Sequence, residues 1–96
     1  MDETARINFL NTFRDEFRIS NAISDSVLEE KLKSSMFVIN EIVGYEINYE
    51  EDIEAKELLK YRIFYDLNFR LAEFDELYGG NYAALQIKYY RTADIS

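Results

Sequence analysis

Residues 58–71, LLKYRIFYDLNFRL, place nine large apolar or aromatic side chains in fourteen positions: Leu58, Leu59, Tyr61, Ile63, Phe64, Tyr65, Leu67, Phe69 and Leu71. At the helical period these side chains cover most of a wheel, the pattern of a helix buried on several sides. No Gly or Pro occurs from Ile53 to Tyr78, and good helix formers dominate. The stretch therefore predicts one long helix of roughly 38 Å at about 1.5 Å per residue, the spine of an all-α domain. Two shorter helices cannot cover such a surface. Either the C-terminal segment returns to pack on it or neighbouring subunits do, and Tyr61, Tyr65 and Phe69 become candidate interface residues, since aromatic rings suit contacts with one wet end.

Upstream, Ile7, Leu10, Phe13 and Phe17 fall on one side of a predicted helix over 3–18, with Asp2 and Glu3 near its positive end. After the connection "ISNAIS", Ser26 and Glu29 match a capping box and predict the start of a second helix. Its stripe is Leu28, Leu32, Ser35, Met36, Ile39, Ile42 and Val43, and Gly44 is placed to end it. Phe37 breaks the stripe, projecting among Glu30, Lys33, Ser34 and Glu41 as a candidate partner contact. The following loop, "YEINYEEDIE", offers Asn48, Glu50, Asp52 and Glu54 at alternate positions. Counted from Asn48, the glycine and bidentate acid of a helical calcium loop would be Ile53 and Leu59, so a solvated acidic loop capping the third helix is the better reading.

Downstream, Gly79 and Gly80 predict a stop and hinge, with Gly79 free to take the left-handed cap conformation. Beyond them "ALQIKYYR" (84–91) alternates imperfectly, with Leu85, Ile87 and Tyr89 against Gln86 and Lys88. It predicts a strand-like arm that pairs with another chain, or a short fourth helix packing back through Tyr82, Leu85 and Tyr89. The expected architecture is all-α: a small bundle of three main helices with a long third helix, then that strand-like arm or fourth helix. Residues 1–96 form one domain, 1–78 its helical core and 81–96 a C-terminal interaction segment. If 84–96 is an arm, its deletion leaves the core folded.

Composition narrows the function. Ninety-six residues, 48% hydrophobic and 16% aromatic, suit one packed domain. There is no Cys and no His, which removes disulfides, thiolate metal sites and the commonest general base. Adjacent acids such as Asp15–Glu16 and Asp75–Glu76 diverge by about 100° on a helix, and nothing matches a nucleophile with its base. The expectation is no enzyme and no cofactor or metal. A net charge of −8, concentrated between Glu46 and Glu57, opposes binding to nucleic acid. No secretory signal or membrane-spanning stretch is expected.

The order of elements, with a second helix opening at Ser26-Val27-Leu28 and closing at Val43-Gly44, an acidic loop and a long third helix, resembles that of tailed-phage head-tail connector proteins. Tyr65-Asp66-Leu67-Asn68-Phe69-Arg70 is similar to that family's tyrosine followed by Asn and Arg late in the long helix. The resemblance spans roughly residues 5–91. It implies an adaptor of head completion, often monomeric alone, that assembles as a ring beneath the portal protein. That ring extends the DNA channel without specific DNA binding and seats a stopper or tail-completion protein. It also implies portal-facing residues in the C-terminal segment, here Tyr82, Leu85, Ile87, Tyr89, Tyr90 and Arg91, and a location in the host cytoplasm and then the virion neck. Two rival readings are an acidic DNA mimic and a small helical regulatory protein that binds one partner.

Overall fold

The structure is a computed structural model describing residues 1–95, with side chains through Tyr90. The described residues form α1 (Glu3–Phe17), α2 (Asp25–Val43), α3 (Ile53–Leu67), α4 (Leu71–Leu77) and α5 (Gly79–Ile95), with no strand among them. α2 is the central element, packing against both α3 and α5.

Local chemistry sets most helix ends. The Asp2 carboxylate accepts the Ala5 amide at 2.8 Å to open α1, satisfying one of the donors that a helix start leaves free. α2 opens at Ser24, two residues before the predicted Ser26: the Ser24 hydroxyl accepts the Val27 amide at 3.3 Å, and the Ser26 hydroxyl bonds Ser24 instead. Arg14 fixes this start by donating to the Ile23 carbonyl at 2.7 Å and to Asp25 at 2.9 Å. At the other end Gly44, with φ 79°, takes the left-handed cap as expected and donates to the Asn40 carbonyl at 2.8 Å.

One core gathers Phe9, Leu10 and Phe13 of α1, Leu28, Leu32 and Ile39 of α2, Leu58, Leu59 and Ile63 of α3, Phe74 of α4, and Tyr82 and Leu85 of α5. Ile7, expected on the buried stripe of α1, lies largely exposed. Phe9 replaces it, because a position four residues before Phe13 lets the two rings stack at 6.5 Å.

The long third helix is corrected to two helices. α3 ends at Leu67: the Asn68 side-chain amide donates to the Phe64 carbonyl at 2.7 Å, and the Arg70 amide to the Tyr65 carbonyl at 2.8 Å. Between them Phe69 adopts φ 57°. Arg70 then pairs with Glu73 through contacts of 2.7 and 2.6 Å and lies 5.3 Å from the centre of the Tyr65 ring. Helix propensity favours continuation by only about 0.7 kcal/mol per residue or less. Burying Phe74, reached only by turning the chain here, outweighs it. A side chain in the left-handed region costs about 1–2 kcal/mol. Phe69→Asn should therefore raise the unfolding free energy in urea by about 1 kcal/mol, since Asn tolerates that region and the Phe69 side chain is almost wholly exposed.

The C-terminal segment resolves to a helix, so the strand reading of 84–91 is corrected. Tyr82, Leu85 and Tyr89 recur at helical spacing and turn inward, while Ile87 and Tyr90 stay outside. The expected left-handed stop at Gly79 is also absent. Tyr78 closes α4 at φ −108°, its amide donating to the Phe74 carbonyl at 2.8 Å, and Gly79 is already the first residue of α5. The core consequently extends past residue 78, into the segment expected to serve interaction alone.

Among the described residues, four polar ones are buried with the core: Ser35, Asp52, Lys60 and Arg62. Lys60 is held by Glu16 and Glu57, each at 3.1 Å. Arg62 donates to the Ser35 hydroxyl at 2.8 Å, while its Nε has no hydrogen-bond partner among the described residues. A bond to a buried charge is worth about 1.5–3 kcal/mol. Ser35→Ala should cost about 2 kcal/mol in urea unfolding, and adding Arg62→Met should recover most of it, because no guanidinium is then buried without an acceptor.

Candidate functional site

Hollows lie at both ends of α2, and another of about 270 Å³ lies against α1, lined by Met1, Ala5, Asn8, Phe9, Thr12, Glu50 and Lys56. Near the C-terminus of α2 a hollow of about 450 Å³ is lined by Phe37, Asn40, Glu41, Gly44, Tyr45 and Glu46. The sequence explains its shape. Gly44 reverses the chain, and the Tyr45 amide reaches back to the Asn40 carbonyl at 3.2 Å, so Tyr45 lies beside the helix it has just left. Its ring then stacks on Tyr89 of α5 at 4.4 Å. Asn40 secures the loop from below, its side-chain Oδ1 accepting the Tyr49 hydroxyl at 2.7 Å and the Ile47 amide at 3.4 Å.

Asp52 anchors the same end. One carboxylate oxygen accepts the Ala55 amide at 3.0 Å, capping α3; the other accepts Lys88 at 2.9 Å and the Tyr89 hydroxyl. Burial pushes its carboxyl up, but the bonds from Tyr89, Ala55 and Lys88 outweigh burial and hold it below the usual value of 3.8. The acidic loop is therefore only partly the solvated cap expected from its composition: Ile47, Tyr49 and Asp52 are buried. A second hollow of about 290 Å³ adjoins the first through Tyr45 and Glu46, and reaches Asn48, Glu51, Asp52, Lys88 and Tyr89. Glu41, Glu46 and Glu51 form no ion pair among the described residues.

Toward the N-terminus of α2 lies a separate hollow of about 310 Å³, walled by Ala22, Ile23, Val27, Leu67 and Phe69, with Lys31 bridged to Asp66 at 3.2 Å. Val27 and Glu41 are fourteen residues apart on one helix, so the two sites stand about 20 Å apart at about 1.5 Å per residue.

The structure separates the residues singled out from the sequence. Phe37 is 66% exposed, Phe69 95% and Tyr90 72%, and Ile87 is also outside, so these four are available to a partner. Tyr61 is partly exposed, its ring edge-on to Phe17 at 5.3 Å. Tyr65 is half-buried between Phe74 and Tyr78, and Tyr89 is half-buried against Tyr45. Tyr82 and Leu85 are core side chains, and burial withdraws them from the surface they were expected to present. The side chain of Arg91 lies outside the described residues. Sequence reasoning missed Tyr45 and, although it placed Asp52 in the loop that caps α3, it missed the burial of that carboxylate. The available signal for Tyr45 was its place directly after Gly44, since a left-handed cap folds the next residue back on the helix.

Burial raises the Tyr49, Tyr82 and Tyr89 hydroxyls above the ordinary value of 10.0, with Asp52 reinforcing Tyr89. A group whose folded pKa is raised contributes stability that is complete below its unfolded value and lost as pH rises past it. The thermal midpoint should therefore hold up to about pH 9 and fall steeply beyond about pH 10, as followed by circular dichroism, and Tyr49→Phe should lessen the fall.

Among the described residues no group of three or more acids is placed to hold a metal ion, and no helix is long and apolar enough to cross a membrane. No family model, curated protein or solved structure matches the chain.

Proposed function

We propose that the protein is a structural adaptor of a tailed phage, a subunit that joins a ring under the portal protein and connects the DNA-filled head to a stopper or tail-completion protein. The observation that carries this reading is the pair of hollows at opposite ends of α2, each edged by an exposed phenylalanine, Phe37 at one and Phe69 at the other. A subunit that bridges two partners needs two such surfaces on a rigid element, and a 19-residue helix packed on both α3 and α5 supplies one. Exposed Ile87 and Tyr90 on α5 add a third apolar face for a lateral neighbour. The charge of −8 suits a channel component past which DNA slides without sticking. On this reading the protein works in the host cytoplasm during assembly and then in the virion neck.

The test is the mass in solution by light scattering over a wide concentration range, alone and with a portal protein. A monomer that closes into a large ring, or joins only on the portal, supports the adaptor. A fixed small complex indifferent to the portal supports instead a helical regulator that uses one hollow for one partner. The two exposed rings at one hollow, Phe37 and Tyr45, are the feature that this second reading would use.

A further inference from the structure

We infer that the hollow between Phe37 and Tyr45 is a docking site for a basic segment of a protein partner, an arginine flanked by apolar residues. This inference rests on the adaptor reading and names the chemistry by which one of the two α2 surfaces is recognised.

The walls carry two kinds of group. Phe37 and Tyr45 present exposed rings, and Glu41 and Glu46 stand beside them with no cation paired to either among the described residues. Glu51 extends the negative edge into the adjoining hollow, where the nearby cation, Lys88, is engaged by Asp52 at 2.9 Å. A guanidinium is the side chain that satisfies both features at once: its flat face stacks on an aromatic ring while its edge donates to a carboxylate. A volume of about 450 Å³ accommodates such a head group and one apolar neighbour.

The site is also preformed. Tyr45 is fixed by its stack on Tyr89, the turn by Gly44, and the loop beneath by the two bonds to Asn40. Little ordering entropy remains to oppose binding. The acidic surface of a second copy is the wrong occupant, because it would set like charge against Glu41 and Glu46 in this hollow. Nucleic acid is excluded for the same reason.

The experiment titrates the uniformly labelled full chain with a synthetic peptide alternating Arg and Leu, and with the same peptide carrying Glu in place of Arg, following backbone amide resonances. The expected result is shifts confined to residues 37–46 and 88–90 with the Arg peptide only, weakening as salt is added. Glu41→Lys with Glu46→Lys should weaken binding about ten-fold, and Phe37→Ala by a similar factor. The double reversal Asp15→Lys with Glu76→Lys, made at exposed acids elsewhere, should bind as the parent does, and dichroism checks that each variant is folded. Shifts spread over every acidic surface, or equal weakening by the two double reversals, would overturn the site. Ring formation on the portal by a parent chain whose hollow the Arg peptide does not shift would overturn this inference and leave the adaptor reading standing. Peptide binding at the hollow in a chain that never joins a portal would do the reverse.

Discussion

Removal of residues 84–96 should destroy the cooperative fold, the opposite of what an appended arm would allow. The cut removes Leu85, which is 2% exposed, and the packing of α5 on α2. Burial of a leucine contributes about 2–3 kcal/mol. It also removes the bonds that Lys88 and Tyr89 donate to Asp52, and bonds to a charged group are worth about 1.5–3 kcal/mol each. The Tyr45 ring and the Ile42 carbonyl, which accepts the Gln86 side-chain Nε2 at 2.7 Å, lose their partners as well. Together these amount to at least about 5 kcal/mol, against a whole-domain stability of about 5–14 kcal/mol for a chain of this length. The thermal midpoint should fall by about 20 °C or more, or the transition should vanish. Thermal melts followed by near- and far-ultraviolet dichroism decide the matter, and a truncated chain melting within a few degrees of the parent would show α5 to be dispensable.

The second large effect is expected at Phe74. It is the one buried residue of the seven-residue α4, its ring fully enclosed by Tyr65 at 5.5 Å, Tyr78 at 4.5 Å and Tyr82 at 6.0 Å. A helix of two turns does not hold itself together in water, so α4 persists because this ring is buried. Phe74→Ala should cost about 3–5 kcal/mol, the range for emptying an aromatic site in a core, with a loss of near-ultraviolet tyrosine signal as the surrounding rings loosen. A loss below about 1.5 kcal/mol in urea unfolding would mean that the α3–α4 joint is held by Asn68 and the Arg70–Glu73 pair instead.

How far the residues announced this fold depends on the range of the forces involved. The all-α class, the presence of α1 and α2, most of the buried stripe of α2 and its Gly44 cap follow from patterns within a few turns, whereas Ile7 and Ile42, placed on the buried stripes by spacing, are exposed. The break at Phe69 does not follow from local pattern. Asn68-Phe69-Arg70 is no stronger a stop than many helix interiors, and only the burial of Phe74, set by the rest of the core, makes the turn favourable. Residues 84–91 misled for a related reason: Leu85, Ile87 and Tyr89 alternate like a strand, yet Tyr82, Leu85 and Tyr89 also fit a helix, and α2 supplies the surface that decides between them. At the surface, Phe37 was legible because it interrupts an otherwise regular stripe. Tyr45 and Asp52 were hidden because composition gives the charge of a loop but not which of its members fold inward.

The return of α5 to α2 has a consequence for how the protein is made. During synthesis α1 to α4 leave the ribosome in chain order, and their short-range contacts can form as they emerge, which favours rapid local collapse. The surface of α2 that α5 covers has no partner until α5 itself has emerged. Until then the nascent chain holds an uncovered apolar strip on its central helix. A stalled or prematurely ended chain would therefore reach the cell with that strip open, as a substrate for chaperones and proteases in place of assembly.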